Sequence, residues 1–482
     1  MKSTNLLFIL SDQHNASVTG CYGNSIVRTP HIDHLAEGGT RFNCAYTPSP
    51  ICVPARASLA TGRYVYEIGY WENATSYEGR VPSWGHRLKT QGYHVDSIGK
   101  LHFRSQDDDC GFVQSHEAMY VVDGIGDVLS AIRDDPPIRN SRPGVEAAGP
   151  GDSTYLQYDA QIADRACQWL AEHQQDEQPW ALFVSFVLPH PPYIAPQNLF
   201  DQYLAADLPF PPQWRYEDWP QHPAMEYMRR FFSFDQPFSE ETIRRLIAAY
   251  YGMCTYLDGQ IGKVLSALKE SGMESDTRII YTSDHGEHLG GRGIFGKFSM
   301  YEESARVPLI LSGVDVPAGK AVNTPVSLVD CFPTIVDAVG CPPDERDHDL
   351  PGSSLWDIVN SDDADRVVLS EYHAVGTEQA TFMLRDQRYK YIHQVEAAPQ
   401  LFDLQNDPDE LADLAQDADQ TSLCQTYEAQ LRERLNPEAV NAQARADQAA
   451  RIEAFGGRDA VITRGFFQNS PAPGEKPKFS TP

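Results

Sequence analysis

The segment "PSPICVPARASLATGRY", residues 48–64, places one cysteine between two prolines and one arginine a helical turn later. Pro54 suits the first turn of a helix, so the spacing predicts that Cys52 lies at a helix N-terminus. Backbone N–H groups and the helix dipole favour an anion at that position. Arg56 adds a guanidinium that suits a tetrahedral oxyanion. Cys52 is then either a thiolate nucleophile or a buried structural cysteine.

The composition is that of a globular, strongly acidic protein. The 482 residues are 41% hydrophobic and 11% aromatic, enough for a large α/β core and a smaller second unit. The formal net charge of −28 repels nucleic acid and anionic membranes, which we exclude as partners. An anionic substrate would therefore need a locally positive site.

The N-terminal residues carry no charged leader followed by a long apolar segment. No stretch approaches the ~20 apolar residues of a membrane span. We therefore expect a cytoplasmic protein. The nine cysteines are scattered without a C-x-x-C pair, which supports neither a zinc knot nor a disulfide framework.

Apolar strands alternate with amphipathic helices over the first three quarters of the chain. The pattern predicts strands at 6–10, 93–98, 180–188, 277–282 and 307–311, and helices at 30–38, 82–91, 158–173 and 240–270. Such alternation indicates an α/β fold with a large, mainly parallel sheet flanked by helices.

The pattern changes near residue 365. Short strands are predicted at 367–371, 381–384 and 389–392, and residues 401–415 are predicted as a strand end, a turn and a helix. We therefore divide the chain into an α/β domain (1–365), an antiparallel α+β subdomain (366–436) and a helical, then Pro-rich tail (437–482). The tail has little core of its own, and we expect it to be an arm that wraps on a neighbouring subunit of a homodimer or homotetramer.

Two irregular regions, 106–152 and 208–238, interrupt the α/β domain, and loops of this length often shape a site. The second region contains aromatic residues that either form an apolar wall of that site or cap the core. They are Trp214, Tyr216, Trp219, Tyr227, Phe231 and Phe232.

Polar residues follow the predicted strands, where ligands bind in open α/β sheets. Asp12 and Gln13 follow the first strand, and Asp284 and His285 follow the strand at 277–282. Their carboxylate and amide oxygens suit Ca²⁺, whereas the imidazole favours Mn²⁺ or another transition metal. The alternative is that each motif caps a turn.

A second group of residues would bring positive charge to the same edge of the sheet. Lys100 and His102 follow the strand at 93–98, His190 follows the strand at 180–188, and Lys297 lies beyond the "DHG" motif. Each of them alone is more often a solvated residue than a catalyst. As a set they would supply the positive charge that an anionic substrate needs.

Five motifs together resemble the type I sulfatase family. They are "LSDQHN" (10–15), "CVPARASLATG" (52–62), "GKLHF" (99–103), "TSDHGEHLG" (282–290) and "GKFSMYEESARVPLI" (296–310). The similarity extends over roughly residues 4–415 and is greatest to choline-sulfatases, then to phosphonate monoester hydrolases. The resemblance implies an alkaline phosphatase-like fold and hydrolysis of a sulfate monoester of a small organic alcohol or sugar.

The resemblance also implies a modified nucleophile and a metal. Cys52 would be oxidised to formylglycine by a formylglycine-generating enzyme, and it would carry the sulfate as a covalent intermediate. Asp12, Gln13, Asp284 and His285 would hold one divalent metal, Ca²⁺ or alternatively Mn²⁺, together with residue 52. Arg56 and the metal would lower the cost of the oxyanion form of residue 52.

The remaining family residues would act on the sulfate and on the leaving alcohol. Lys297 and His190 would stabilise the sulfate oxygens and protonate the leaving oxygen. Lys100 and His102 would contact the sulfate and the hydrate, with His102 as the base that releases sulfate. Asn73 would touch the sulfate.

One segment departs from the choline-sulfatase pattern. "YVVDGIGDVL" (120–129) stands where those enzymes carry a tryptophan-bearing segment, so the alcohol is left open. Glu371 and His373 could also face the pocket. Two other functions remain open, a phosphonate or phosphate diester hydrolase that uses the same site and a non-catalytic oligomeric binding protein.

Overall fold

The computed structural model describes residues 4–361 and 365–481, so the first three residues of the N-terminus lie outside it. The strands, numbered along the chain, are β1 (Asn5–Asp12), β2 (Thr40–Phe42), β3 (Ala45–Tyr46), β4 (His94–Lys100), β5 (Gln114–Met119), β6 (Gly149–Pro150), β7 (Trp180–Pro189), β8 (Ile194–Ala195), β9 (Thr277–Ser283), β10 (Leu309–Gly313), β11 (Lys320–Val322), β12 (Val326–Ser327), β13 (Val368–Tyr372), β14 (Thr381–Arg385), β15 (Tyr389–Gln394) and β16 (Gln400–Asp403).

The α-helices are numbered in the same way. They are α1 (Pro30–Glu37), α2 (Cys52–Thr61), α3 (Val65–Ile68), α4 (Trp84–Lys89), α5 (Arg142–Glu146), α6 (Thr154–Glu172), α7 (Gln197–Leu204), α8 (Pro223–Phe231), α9 (Glu240–Glu270), α10 (Glu302–Ala305), α11 (Cys331–Ala338), α12 (Leu355–Val359), α13 (Thr421–Arg434), α14 (Pro437–Phe455) and α15 (Arg458–Arg464).

The large sheet has the strand order β11-β2-β10-β9-β1-β7-β4-β5. Neighbouring strands are parallel except at β10, which runs antiparallel to both β9 and β2. The predicted α/β class is therefore confirmed as a mixed, mainly parallel sheet. The strand predicted at 307–311 begins later, at Leu309, because the Val307 N–H is bonded to the Ala45 carbonyl instead.

Helices cover both faces of this sheet. Alternate residues of β1 enter different cores, with Leu7 and Ile9 on one face and Leu6, Phe8 and Leu10 on the other. The first core includes residues of α6 and α9, and the second includes residues of α2, α4 and α11. A strand buried on both faces explains the continuous apolar run of the sequence.

The C-terminal sheet is an antiparallel meander of β13, β14, β15 and β16, as predicted. The helix predicted within 401–415 was wrong, since β16 is followed by a turn and by one 3₁₀ turn at Leu414–Gln416. The Asp407 carboxylate accepts the N–H groups of Leu411 and Ala412, which fixes the turn, and the left-handed φ of 53° at Glu410 interrupts a helix.

The Pro-rich tail folds back on its own chain. Phe466 and Ser480 form an antiparallel bridge, and the Phe466 ring is buried among residues that include Val128 and Leu129. The tail is therefore ordered by contacts within the same subunit, whereas its predicted role between subunits stays a prediction. Within residues 4–361 and 365–481, no helix has the length and apolar character needed to cross a bilayer.

Candidate active site

Neighbouring parallel strands deliver polar side chains to one edge of the large sheet. Asp12 and Lys100 end β1 and β4, and His190 and Asp284 directly follow β7 and β9. The order β9-β1-β7-β4 brings these carboxyl ends together. Helix α2 begins at the same edge with Cys52, as the position of Pro54 predicted.

A buried cluster of possible metal ligands surrounds Cys52. The Cys52 Sγ lies 3.2 Å from Nε2 of His285 and 3.8 Å from Oδ1 of Asp12. Nε2 of His285 lies 3.6 Å from Oδ1 of Asp284. One ligand atom from each of these four residues falls within 4.8 Å of the others, and all four side chains are buried. Two carboxylates and one imidazole at this spacing fit a divalent cation.

The two carboxylates of this cluster differ in how far the neighbouring cations offset their negative charge. Burial and the neighbouring Asp12 charge raise the pKa of Asp284. Burial would also raise the pKa of Asp12, but the cations around it, led by Lys100, hold that pKa well below its usual range. Lys100 Nζ lies 2.6 Å from Asp12 Oδ2. Burial lowers the pKa of His285 to about 4, which keeps its imidazole in the neutral form that binds metals. A divalent cation would favour the ionised form of both carboxylates.

The Arg56 guanidinium faces the carboxylates. Its Nε donates to Asp284 Oδ2 at 2.8 Å and its Nη2 to Asp12 Oδ2 at 3.1 Å. Its Nη1 donates to the Lys100 carbonyl at 2.6 Å and to Ser185 Oγ at 3.0 Å. These bonds show that Arg56 orients the two carboxylates, whereas the oxyanion contact expected from its spacing to Cys52 stays a prediction. Ser185 lies inside a continuous apolar strand, so no sequence signal marked it as a site residue.

Gln13 and Lys297 complete the surroundings of Cys52. The Gln13 backbone has a left-handed φ of 69°, which directs its N–H to Asp284 Oδ1 at 3.1 Å. Lys297 Nζ donates to Gln13 Oε1 at 2.7 Å and to Cys52 Sγ at 3.1 Å. The Gln13 amide N–H in turn donates to Glu287, which fixes the orientation of the amide. Glu287 lies within the "TSDHGEHLG" motif but was not among the predicted site residues.

Two further predicted residues line the cavity beside Cys52. His190 Nδ1 lies 2.8 Å from the Pro191 carbonyl, so it carries the proton and leaves Nε2 without one in the neutral ring. Burial and then Lys297 lower the pKa of His190 well below its usual range. Asn73 Oδ1 accepts the Val53 N–H at 3.1 Å, which leaves the Asn73 NH₂ group as a donor at the cavity.

The cavity measures about 1130 Å³, including its part open to solvent. Polar residues line it around Cys52, and phenylalanines form much of the rest: Phe232, Phe234, Phe295, Phe298 and Phe467. Both irregular regions contribute to the lining, as predicted.

Only part of the predicted apolar wall belongs to this cavity. Within the described residues, Phe232 is the member of the predicted aromatic set that lines it. Tyr216 is 55% exposed, and Trp219 packs under the Arg229 guanidinium. Glu371 and His373 pair with each other at 2.6 Å in a fully buried position outside the lining.

Comparisons with known proteins agree with this architecture. A family model described as "Sulfatase" matches residues 4–341, and one described as "N-sulphoglucosamine sulphohydrolase, C-terminal" matches residues 286–437. The chain is 31% identical to arylsulfatase K of Danio rerio over 444 residues, which cover 85% of this chain and 80% of that protein. It is 32% identical to choline-sulfatase of Rhizobium meliloti (strain 1021) over 424 residues, which cover 86% of this chain and 82% of that protein.

A solved structure of a related enzyme has the same fold. The phosphonate monoester hydrolase of Agrobacterium radiobacter superposes with a TM-score of 0.72 at 25% identity, covering 92% of this chain and 96% of that one. The predicted family and its alkaline phosphatase-like fold are thus confirmed, and a choline-sulfatase and a phosphonate monoester hydrolase are among the similar proteins, as predicted. The chain belongs to the sulfatase family and is a sulfuric ester hydrolase.

Proposed function

We propose that this protein hydrolyses the sulfate monoester of a small organic alcohol or sugar at Cys52. One observation carries the proposal: Cys52 Sγ lies within 3.2 Å of both His285 Nε2 and Lys297 Nζ, and Cys52 and Lys297 line a mainly apolar cavity. An anion can be neutralised there although the chain as a whole carries a charge of −28.

Residue 52 would act as formylglycine, made from cysteine by a formylglycine-generating enzyme. The hydrated aldehyde offers two hydroxyl groups where serine or cysteine offers one nucleophilic atom. One oxygen attacks sulfur, and the second hydroxyl later loses its proton, which re-forms the aldehyde and expels sulfate. The bond between carbon and the sulfated oxygen breaks in this step, so water need not attack the enzyme-bound ester.

A metal would be held by Asp12, Gln13, Asp284 and His285 together with residue 52, with Ca²⁺ as our assignment and Mn²⁺ as the alternative. When bound, a divalent cation would offset the negative charge of the sulfate and favour the ionised form of the attacking hydroxyl. The carboxylates and imidazole of the buried cluster suit this role, and the Gln13 amide oxygen is a ligand type that Ca²⁺ also accepts.

The chain's own side chains would orient the ester and move protons. Lys297 Nζ would neutralise a sulfate oxygen, and the Asn73 NH₂ group would donate to another. His190 would first gain a proton on Nε2, which the negative charge of the bound sulfate favours, and would then deliver it to the ester oxygen as the bond between that oxygen and sulfur breaks. Lys100 would contact the sulfate, and His102 would take the proton of the second hydroxyl. Arg56 would act through the two carboxylates that it orients.

The test is a sulfate-release assay on protein co-expressed with a formylglycine-generating enzyme and supplied with Ca²⁺ or Mn²⁺. We expect sulfate from at least one aryl, alkyl or sugar sulfate, and mass spectrometry should find formylglycine in the peptide of residue 52. If fully modified protein releases sulfate from none of these esters, the proposal fails.

Phosphonate or phosphate diester hydrolysis is the second candidate. The similarity to the phosphonate monoester hydrolase of Agrobacterium radiobacter supports it. Gln13 and His285 add no negative charge to the metal site, which could suit a phosphoryl ester. Matched sulfate and phosphonate esters of one alcohol decide between the two: kcat/KM higher for the sulfate supports our proposal, and the reverse order supports this candidate.

We further propose that the protein forms a homodimer or homotetramer with the Ala-rich and Pro-rich region 437–482 at its interface. Light scattering of the purified protein tests this. A monomer with full activity would end the proposal.

A further inference from the structure

The C-terminal tail reaches the cavity of the candidate active site. Phe467, Gln468, Asn469 and Ser470 all line it, although more than 360 residues separate Ser470 from His102 in the sequence. We propose that Ser470 is a positioning residue, which fixes the His102 imidazole for the proton transfer that releases sulfate. The inference rests on the proposed function, because it assigns the tail a task in that reaction.

The contact between Ser470 and His102 is short and buried. Ser470 Oγ lies 2.7 Å from His102 Nε2, and the two residues are 7% and 6% exposed. The other ring nitrogen, Nδ1, is buried and has no hydrogen-bond partner among the described residues. Within the described part of the chain, Ser470 is therefore the residue that holds the His102 ring by a hydrogen bond.

This contact also determines which nitrogen can act as a base. A neutral imidazole carries its proton on one nitrogen and a lone pair on the other. A buried N–H group without a partner is costly, so the proton belongs on Nε2, from which the Ser470 Oγ accepts a hydrogen bond. Nδ1 then keeps its lone pair and is the nitrogen free to take a proton. The left-handed φ of 59° at His102 shows that its main chain is held in an uncommon conformation as well.

Three contacts anchor the segment that carries Ser470. Tyr155 OH donates to the Ser470 carbonyl at 2.5 Å, and Arg139 Nη2 donates to the Phe467 carbonyl at 2.6 Å. Arg139 also forms an ion pair with Asp127 at 2.8 Å, and its guanidinium lies 4.5 Å from the centre of the Phe466 ring. Because the main chain is fixed on both sides of the contact, the hydroxyl is held in place before substrate binds.

The experiment compares Ser470→Ala, Ser470→Thr and Ser480→Ala in fully modified protein. We expect Ser470→Ala to lower kcat about 10- to 100-fold, as for other residues that orient a catalytic group. KM should fall by a similar factor and kcat/KM should stay near the wild-type value, because kcat/KM reports the sulfate transfer that precedes the impaired step. Sulfated residue 52 should accumulate in rapidly quenched samples, because the impaired step follows sulfate transfer. Ser470→Thr keeps the hydroxyl and should recover most of the rate. Ser480→Ala removes an exposed hydroxyl of the same tail and should match the wild type.

A second measurement does not require turnover. In unmodified protein with ¹⁵N-labelled histidine, nitrogen chemical shifts report which ring nitrogen carries the proton, and His102→Gln identifies the signals. We expect Nε2–H in the wild type and a mixture of tautomers in Ser470→Ala. A wild-type kcat in Ser470→Ala, or a proton on Nδ1 in the wild type, would overturn the inference. If the wild type cleaves no sulfate ester, the proposed function fails, whereas the tautomer measurement still tests the positioning.

Discussion

Arg56 and Asp284 form a buried ion pair, in which the guanidinium Nε donates to the carboxylate Oδ2 at 2.8 Å. The same guanidinium bonds Asp12, so one cation sits behind both carboxylates of the candidate metal site. Removal of one partner from a buried pair leaves an uncompensated charge, which is more costly than the loss of an exposed pair. The stability of the apo protein should therefore depend on Arg56.

We predict that Arg56→Ala lowers the free energy of unfolding by about 3–5 kcal/mol, the range for breaking a buried ion pair. Denaturant titration in the presence of a chelator measures it. Arg432→Ala is the matched control, because Arg432 is 42% exposed and surface pairs contribute about 0–1 kcal/mol. Equal losses in the two variants would contradict the role given to Arg56.

We predict that Cys52→Ser accepts sulfate but does not release it. Serine offers one hydroxyl for attack on sulfur and lacks the second hydroxyl that expels sulfate, so the ester should persist. Intact-mass measurement after incubation with substrate should find one sulfate per chain, with turnover reduced at least about 10³-fold. Cys424→Ser, at a half-buried position outside the cavity, should turn over normally. Steady turnover by Cys52→Ser would show that formylglycine is not required.

We predict that a divalent metal stabilises the folded protein through Asp284. A ligand present at 100 times its dissociation constant adds about 2.7 kcal/mol to the free energy of unfolding. Thermal unfolding with increasing Ca²⁺ or Mn²⁺ should thus shift the wild type to higher temperature and shift Asp284→Asn much less. Asp164→Asn, which alters a side chain that is 68% exposed on α6, should behave like the wild type. A metal-independent wild type would contradict the predicted site.

Much of this arrangement could be predicted from local sequence signals. The position of Pro54 located the start of α2, and the polar residues after each apolar strand identified the edge at which Asp12, Lys100, His190 and Asp284 meet. These signals work because the carboxyl ends of parallel strands share one edge, whatever the length of the connections between them.

Other features depend on contacts between residues that are distant in the sequence, so no local sequence pattern predicts them. The spacing of Arg56 to Cys52 could not show that the guanidinium turns toward two carboxylates from β1 and from the turn after β9. Composition identified the tail as Pro-rich, but the bond from Ser470 to His102 requires the folded chain. The aromatic residues of 208–238 were equally ambiguous, because Trp219 packs under Arg229 within that region whereas Phe232 stacks on Phe298 outside it.

We predict that Phe232 favours esters with an apolar or aromatic leaving group. Its ring is stacked on Phe298 with 4.7 Å between centroids and forms part of the cavity wall. Phe232→Ala should lower kcat/KM for an aryl sulfate about 10-fold or more, with a smaller effect on a short alkyl sulfate. Tyr216→Ala, at an exposed position of the same region, is the control. Equal effects on both esters would argue against contact with the leaving group.

We predict that Lys297 contributes charge at the reacting sulfate. Its ammonium lies 3.1 Å from Cys52 Sγ, and although burial opposes the charged form, Cys52, Asp12 and Asp284 raise the pKa of Lys297. The two carboxylates remain beside it when residue 52 is formylglycine. The side chain therefore stays cationic without solvent, where a charge interacts more strongly with an anion than in water. Lys297→Ala should lower kcat/KM about 10²- to 10³-fold, the usual cost of removing one group that stabilises developing negative charge. Lys269→Ala is the control. It removes one positive charge from the exposed end of α9, so the two variants have the same net charge. A similar loss in both would attribute the effect to net charge, whereas a loss confined to Lys297→Ala assigns it to the ammonium beside residue 52.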